Sequence, residues 1–152
     1  MAKEKLTFEN GYIYEGDVVD GKPHGKGKMI MQYGMVYEGD FVNGEMTGKG
    51  IQTFPFKDGF FITEGDFVNG KSHGKGKMTD PDGTVYEGDF FNDEKTGKGK
   101  ETYPDGSVYE GDFVKGDRRG KGKMTGNDGS IIHEGDFYED KINDLTEMIK
   151  DF

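Results

Sequence analysis

The sequence has no cysteine, and this absence excludes several kinds of chemistry. Its 152 residues contain neither Cys nor Trp, which rules out disulfides, thiolate metal sites, cysteine nucleophiles and palmitoylation. The N-terminus, Met-Ala-Lys-Glu-Lys, lacks an apolar signal region, and Ala2 stands where myristoylation requires glycine. We therefore expect a cytoplasmic protein, with association to a membrane or to the cytoskeleton as an open alternative.

The chain is also poor in aliphatic residues and in positive charge. Hydrophobic residues make up only 31% of it, and no apolar run approaches the roughly 20 residues that span a membrane. Asp and Glu number 30 against 20 Lys and Arg, which gives a formal net charge of -10. Because nonspecific binding to nucleic acid requires a basic surface, we expect no nucleic-acid partner. A basic protein partner suits this charge better.

What the sequence does contain is glycine and aromatic rings in a regular pattern. It has 27 Gly, 12 Phe and 8 Tyr, and large rings can bury much area from few positions. A Glu-Gly-Asp tripeptide recurs every 23 to 26 residues, with its glycine at Gly16, Gly39, Gly65, Gly88, Gly111 and Gly135. A Gly-Lys-Gly tripeptide keeps the same register and starts at Gly25, Gly48, Gly74, Gly97 and Gly120. Two markers in one register indicate about six repeats.

Turn residues divide each unit into two strands. Asn43-Gly44 and Asn69-Gly70 lie at one end of a unit, and Pro81-Asp82-Gly83 lies at the other. These residues tolerate the backbone angles of tight turns. The fold predicted for residues 1–139 is therefore all-β: an elongated, single-layer solenoid of about 12 antiparallel strands arranged as hairpins.

Period-two alternation assigns the two faces of this sheet. Tyr and Phe of each unit point to one face with Gly, and Glu and Asp point to the other. If the hairpins pair without a bulge, Lys75 and Lys77 share the face of Glu64 and Asp66. That face is then a ladder of opposite charges, each exposed pair worth about 0.2 to 1 kcal/mol.

The C-terminal residues have a different pattern. Residues 140–152 lack glycine and carry apolar side chains at helical spacing, namely Ile142, Leu145, Met148, Ile149 and Phe152. This predicts an amphipathic helix over 140–152 that caps the edge of the last strand. A dimerisation or docking helix is the alternative.

The opening of each unit identifies a family resemblance. Four units open with Tyr-Glu-Gly, at Tyr14, Tyr37, Tyr86 and Tyr109, followed by a ring, a turn glycine and Gly-Lys-Gly. This pattern resembles the MORN repeat over about residues 5–138. Thr63 and His133 stand where the opening Tyr is expected, and Val18 stands where the ring is expected. The resemblance implies consecutive hairpins with aromatic residues lining a groove, and either protein binding, dimerisation or phosphoinositide association.

The sequence offers no candidate for catalysis. Gly-Lys-Gly lacks the spacing of a phosphate-binding loop, and the Asp-Gly turns lack the ligand spacing of a calcium-binding EF-hand loop. His24 and His73 lie two repeats apart, so a shared metal is not expected. We predict a non-catalytic protein with no cofactor and no metal site.

The leading hypothesis is a protein-interaction or scaffolding module. A single-layer sheet is expected to leave its rings exposed, and exposed apolar patches commonly mark interfaces. The aromatic groove would bind a helix or extended segment of a partner, or a second copy of the chain. The predicted anchors are Tyr37, Phe41, Phe67, Tyr86, Phe90, Tyr109 and Phe113.

The alternative is a peripheral module that binds phosphoinositides or an anionic membrane. Lysines recur along the repeat, and the candidates for lipid contact are Lys75, Lys77, Lys98 and Lys100. Glu and Asp on the same predicted face are expected to cancel most of their field.

Overall fold

The computed structural model describes residues 2–138 and 141–142, and these form one open antiparallel sheet. Thirteen strands of the described residues lie side by side in chain order, each hydrogen-bonded to the next. Their bounds are β1 Ala2–Thr7, β2 Ile13–Val19, β3 Lys22–Ile30, β4 Val36–Val42, β5 Glu45–Phe56, β6 Gly59–Val68, β7 Lys71–Thr79, β8 Val85–Phe91, β9 Glu94–Thr102, β10 Val108–Val114, β11 Asp117–Thr125, β12 Ile131–Tyr138 and β13 Lys141–Ile142. The predicted all-β, single-layer hairpin architecture is confirmed.

The turns inside the units use the residues that the sequence indicated. Asn43 and Gly44 join β4 to β5 with φ angles of 48° and 87°. Two consecutive positive φ angles are typical of the type I′ turn, whose twist matches that of the strands it joins. Asn69 and Gly70 repeat this conformation between β6 and β7.

The pairing inside a unit contains a bulge, so the bulge-free register was wrong. Gly39 pairs with Gly50, but Phe41 pairs with Met46, which leaves three residues of β5 opposite the single residue Asp40. The same shift occurs in β2–β3, β6–β7 and β10–β11, whereas in β8–β9 it lies one residue earlier, since Asp89 pairs with Thr96; β3 and β4 of neighbouring units pair without interruption. The bulge leaves room for the aspartate side chain of the Glu-Gly-Asp tripeptide.

Each opening tyrosine lies directly on a glycine of the paired strand. A Cβ added to Gly50 would come within 2.4 Å of the Tyr37 ring, and the corresponding distances at Gly27, Gly99 and Gly122 are 2.1 to 2.5 Å. No side chain larger than hydrogen fits under these rings. The phenol of Tyr37 donates a hydrogen bond to the Asp40 carbonyl at 2.9 Å, which fixes the orientation of the ring.

Phe41 and Phe113 of the repeat each join two units. Phe41 meets Tyr37 of its own unit at 5.2 Å between ring centroids and Tyr14 of the preceding unit at 4.9 Å, both edge to face. Phe113 makes the same pair of contacts with Tyr109 and Tyr86. Edge-to-face pairs of this kind each add about 0.5 to 1.5 kcal/mol beyond the area they bury.

The rings thus bury one another, and in the described residues they form two separate clusters. The first contains Tyr14, Val18, Met29, Met31, Tyr37, Phe41 and Phe67, and the second contains Tyr86, Phe90, Tyr109, Phe113 and Phe137. The boundary between them falls in the third unit, where Thr63 replaces the opening tyrosine.

Only two residues of the predicted C-terminal helix lie in the described part of the chain. Lys141 and Ile142 form β13, which pairs with Tyr138 and Phe137 of β12, so the predicted helix does not begin at 140. The other residues of that predicted helix lie outside the described part of the chain. Within residues 2–138 and 141–142, no helix is long and apolar enough to cross a membrane.

The burial of the rings predicts a large loss of stability when one is removed. Phe113→Ala should lower the free energy of unfolding by about 3 to 5 kcal/mol, because it deletes a buried ring that joins two units. Val114→Ala, at a side chain that is 43% exposed, should cost less than about 1 kcal/mol. Equilibrium unfolding in urea measures both, and similar effects of the two changes would contradict this packing.

Candidate functional site

Three of the Glu-Gly-Asp aspartates, Asp17, Asp40 and Asp112, each link three strands. The Asp40 carboxylate accepts a hydrogen bond from the backbone N–H of Lys49 in its own unit, at 2.9 Å, and another from the Lys26 ammonium of the preceding unit. Asp112 binds the Lys121 backbone and the Lys98 ammonium in the same way. These aspartates therefore hold the bulge closed and connect neighbouring repeats.

These hydrogen bonds favour the ionised carboxylates. The Lys26 ammonium, followed by the Lys49 backbone N–H, holds the pKa of Asp40 below its ordinary value against the opposing effect of burial. Lys98 and then the Lys121 backbone do the same for the pKa of Asp112. The charged face is therefore part of the framework of the fold.

The lysines proposed for lipid binding all face carboxylates. Lys75 Nζ lies 2.6 Å from Asp89 Oδ1, and Lys98 pairs with Asp112. Lys77 stands opposite Glu64 on one neighbouring strand and Glu87 on the other.

Lys100 stands opposite Glu87 and Glu110 on its two neighbouring strands. The predicted charge ladder is thus confirmed, and none of the four candidate lysines stands away from acidic neighbours. Lipid contact by these residues stays a prediction.

The seven predicted aromatic anchors belong to the core. Tyr37, Phe41, Phe67, Tyr86, Phe90, Tyr109 and Phe113 are only 0 to 3% exposed. The expectation that a single layer leaves its rings exposed was wrong, because the tyrosine rings lie on glycines of the paired strands and the phenylalanine rings pack edge to face against the tyrosines. Their role in partner binding stays a prediction, and they offer almost no surface for direct contact.

Four other aromatic side chains are accessible among the described residues, and sequence reasoning did not select them: Phe91, which is 58% exposed at the end of β8, and three near the β5–β6 hairpin. Tyr33 is 79% exposed on the β3–β4 loop, and Phe56 and Phe60 are 44% and 53% exposed on the β5–β6 hairpin. The two loops touch, since a Cβ on Gly34 would lie 3.2 Å from Pro55 Cγ. We refer to Tyr33, Phe56 and Phe60 as the hairpin patch, in which Phe56 and Phe60 lie on opposite faces of the hairpin because they belong to adjacent cross-strand pairs.

The sequence did contain a signal for this patch. The spacing of Glu-Gly-Asp is three residues longer between Gly39 and Gly65 than between Gly16 and Gly39. The extra residues lengthen the hairpin, so that β5 has 12 residues and β6 has 10. Insertions in repeat arrays often lie on a binding face.

A cavity lies beside the hairpin patch. Its volume is about 200 Å³, and its walls include Met35, Phe54, Phe61, Thr63, Met78 and Phe90. It therefore occupies the third unit, at the boundary between the two core clusters. Phe54, Phe61 and Thr63 are each partly exposed, so the cavity is open to solvent.

His24 and His73 each lie two residues after the start of a strand, β3 and β7 respectively. His24 Nδ1 accepts a hydrogen bond from the Asn43 backbone N–H at 3.1 Å, and the His73 ring contacts Phe91 at 5.1 Å. Among the residues that the structure describes, no group of three His, Asp or Glu side chains is placed to hold a metal ion.

Comparison with known protein families gives five consecutive matches of the chain to one family. The MORN repeat matches residues 14–32, 37–55, 64–85, 86–108 and 109–131. Four matches begin at an opening tyrosine, whereas the third begins one residue after Thr63. Together the matches cover more than half of the chain. No curated protein matches the sequence.

The aspartate hydrogen bonds predict a pH-dependent loss of stability. A carboxyl whose pKa is lowered by folding stabilises the fold above its unfolded pKa of about 3.9, and this contribution disappears as the pH falls through the folded pKa. Asp112→Asn should therefore lower the thermal midpoint at pH 6, and its difference from the wild type should shrink at pH 3.

The matched control is Asp58→Asn, at an exposed residue of the β5–β6 turn, which should leave the midpoint unchanged at both pH values. Circular dichroism melts measure all three proteins. A deficit of Asp112→Asn that is as large at pH 3 as at pH 6 would contradict the role of the ionised carboxylate.

Proposed function

This chain belongs to the MORN repeat family, and we propose that it is a non-catalytic protein-interaction module that binds a basic segment of a partner protein at its third repeat. MORN repeats are generally associated with interaction with proteins or membranes, and the repeat itself is a non-enzymatic module. The proposal adds the class of partner and the place where it binds.

The hairpin patch is the observation that carries this proposal. Tyr33, Phe56 and Phe60 expose their rings on two touching loops, although the rings of the repeat motif are buried. Exposed aromatic side chains are the residues that most often dominate the binding energy of protein interfaces. On the face that carries Phe56, whose ring contacts the cavity residue Phe61 at 5.5 Å, the neighbouring cavity adds a concave surface that a protruding side chain can enter.

The charge of the chain favours a basic partner over a second copy. Two copies would each carry a formal charge of -10, and like charges oppose association. A segment with Lys or Arg among apolar residues complements both the charge and the rings, whether it binds as a helix or as an extended chain.

The pairing of lysines with carboxylates favours a protein partner over a membrane. Attraction to an anionic leaflet depends on basic residues whose charge is not already compensated. Here the lysines of Gly-Lys-Gly alternate with carboxylates of the neighbouring strands, as in the Lys75–Asp89 pair at 2.6 Å.

The proposed function predicts that binding depends on the hairpin patch. The full chain, immobilised, should capture proteins from an extract, and the double variant Tyr33→Ser/Phe60→Ser should lose some of them. Val114→Ser, at an exposed apolar residue away from the third repeat, is the matched control and should retain them. A captured protein, once purified, should bind the double variant at least about tenfold more weakly, as expected for loss of an aromatic hot spot.

Two results would contradict the proposal. The first is a set of captured proteins that is identical for the wild type and the double variant while circular dichroism shows both to be folded. The second is a wild-type dimer in light scattering that the double variant loses, because this would assign the patch to self-association.

Sedimentation with phosphoinositide-containing liposomes at physiological salt distinguishes membrane binding from the proposed protein binding. We expect the protein to stay in the supernatant. Sedimentation that disappears on changing Lys75, Lys77, Lys98 and Lys100 to Glu would replace the proposed function with membrane binding.

A further inference from the structure

One row of side chains on the charged face alternates glutamate and lysine from strand to strand. Its glutamates belong to the Glu-Gly-Asp tripeptides, and its lysines are the residues that follow Gly-Lys-Gly. Each of these lysines has a glutamate on both neighbouring strands, namely at Lys28, Lys77, Lys100 and Lys123. The alternation is interrupted in β5, where Ile51 follows Gly-Lys-Gly in place of lysine.

The interruption leaves two glutamates with an apolar side chain between them. Glu38 of β4 and Glu64 of β6 are the cross-strand partners of Ile51. All three side chains are exposed, Ile51 to 45%. Because neighbouring strands lie about 4.8 Å apart, the Cα atoms of the two glutamates are roughly 10 Å apart. Each glutamate retains one lysine neighbour instead of two, Lys28 or Lys77.

The lysine closest in sequence does not fill this position. Lys49 Nζ lies 2.5 Å from Asp66 Oδ1, in the parallel row of aspartates and lysines. Asp40, on the other neighbouring strand, pairs with Lys26. The aspartate row is therefore paired from β3 to β6, and the missing positive charge is confined to Ile51.

An apolar strip connects Ile51 with one ring of the hairpin patch. Side chains two residues apart in a strand share a face, so Phe60 and Ile62 lie on the face of Glu64, and Pro55 lies on that of Ile51. Pro55 stands opposite Phe60, which is 53% exposed. We refer to Ile51, Pro55, Phe60 and Ile62 as the apolar strip. It offers apolar contact immediately beside the two carboxylates.

We infer that the basic segment of the partner places an arginine over Ile51, between the carboxylates of Glu38 and Glu64. A guanidinium is planar and carries donors on both edges, so it binds a carboxylate on each side while its face lies on the isoleucine. It is also more weakly hydrated than an ammonium, which suits it to an apolar surface. This inference rests on the proposed function and adds the type of basic residue and its position.

The apolar strip determines the spacing of the partner's other contacts. Ile51 and Pro55 are four residues apart in β5, which corresponds to about 13 Å. In an extended partner segment every second side chain faces the sheet. A segment with an arginine over Ile51 therefore contacts the apolar strip through apolar residues two and four positions away.

The first test is an amide NMR titration of the full chain with the peptide acetyl-Leu-Ser-Val-Ser-Arg-Ser-Val-Ser-Leu-amide. Its side chains have the same order in both directions, so the direction of binding does not matter. The amide signals of Glu38, Ile51 and Glu64 should shift in a saturable way. The dissociation constant should be on the order of a millimolar, because the ordering of a short flexible peptide opposes binding.

Two peptides of the same length test the role of the guanidinium. Citrulline in place of arginine keeps the shape and removes the charge, and this peptide should bind at least about tenfold more weakly because its hydrogen bonds to the carboxylates are no longer charge-assisted. Lysine in place of arginine should bind more weakly by roughly threefold, because an ammonium is a compact charge that does not reach both carboxylates.

Ile51→Lys supplies the missing charge from within the sheet. The new ammonium occupies the place of the guanidinium and repels it, so this variant should bind the arginine peptide at least about tenfold more weakly. Ile131→Lys is the matched control, because it adds the same charge at an isoleucine of β12 that is 56% exposed. It should bind within about twofold of the wild type, since exposed charges farther apart than the Debye length are largely screened.

Several results overturn the inference. Absence of saturable shifts, or shifts spread along the acidic face without a maximum at Ile51, shows that no such site exists. Equal affinity for the arginine and citrulline peptides does the same whether or not Ile51→Lys folds. Equal weakening by Ile51→Lys and Ile131→Lys traces the binding to net charge alone. Tighter binding of the lysine peptide overturns the assignment to arginine.

The inference and the proposed function fail in different ways. Captured proteins that depend on Tyr33 and Phe60 but are retained by Ile51→Lys would remove the arginine from Ile51 and leave the proposed function in place. Capture that does not depend on Tyr33 and Phe60 contradicts the proposed function itself.

Discussion

The fold depends on a tyrosine ring that lies flat on a glycine of the neighbouring strand. This contact explains why a chain with only 31% hydrophobic residues folds as a single layer. The ring buries its area without a second layer because the glycine leaves space for it, and the phenol finds its hydrogen-bond acceptor within the same unit. The phenylalanine of the next unit then covers the ring, so that each repeat completes the burial of the one before it.

The charged face follows from the same geometry. The bulge after Gly16, Gly39 and Gly111 places an aspartate where it binds the backbone of its own unit and the lysine of the preceding strand, as Asp40 does with Lys49 and Lys26. The carboxylates and lysines of the motif are therefore used within the array. Two of the exposed aromatic rings, Phe56 and Phe60, lie where the repeat is irregular, at the lengthened β5–β6 hairpin.

Much of this architecture could be predicted because the repeat is so regular. The spacing of Glu-Gly-Asp and Gly-Lys-Gly predicted the strands, and alternation predicted the two faces and the ladder of charges. Alternation cannot predict burial, since it tells which side Phe41 lies on but not that Tyr14 and Tyr37 enclose it. The exposed rings at Phe56 and Phe60 depend on hairpin register, and the cavity at Thr63 depends on packing across three strands, so neither could be found from the sequence alone.

Native-state hydrogen exchange tests most directly whether the tyrosine ring holds each repeat. In a uniform array the central repeats are expected to be the best protected, because both of their neighbours stabilise them. Our account predicts the opposite at the third unit: the amides around Gly65 and Gly76 should exchange faster than those around Gly39 and Gly50 or around Gly111 and Gly122. Maximal protection at Gly65 and Gly76 would contradict the account, because the unit without the ring would then be the most stable one.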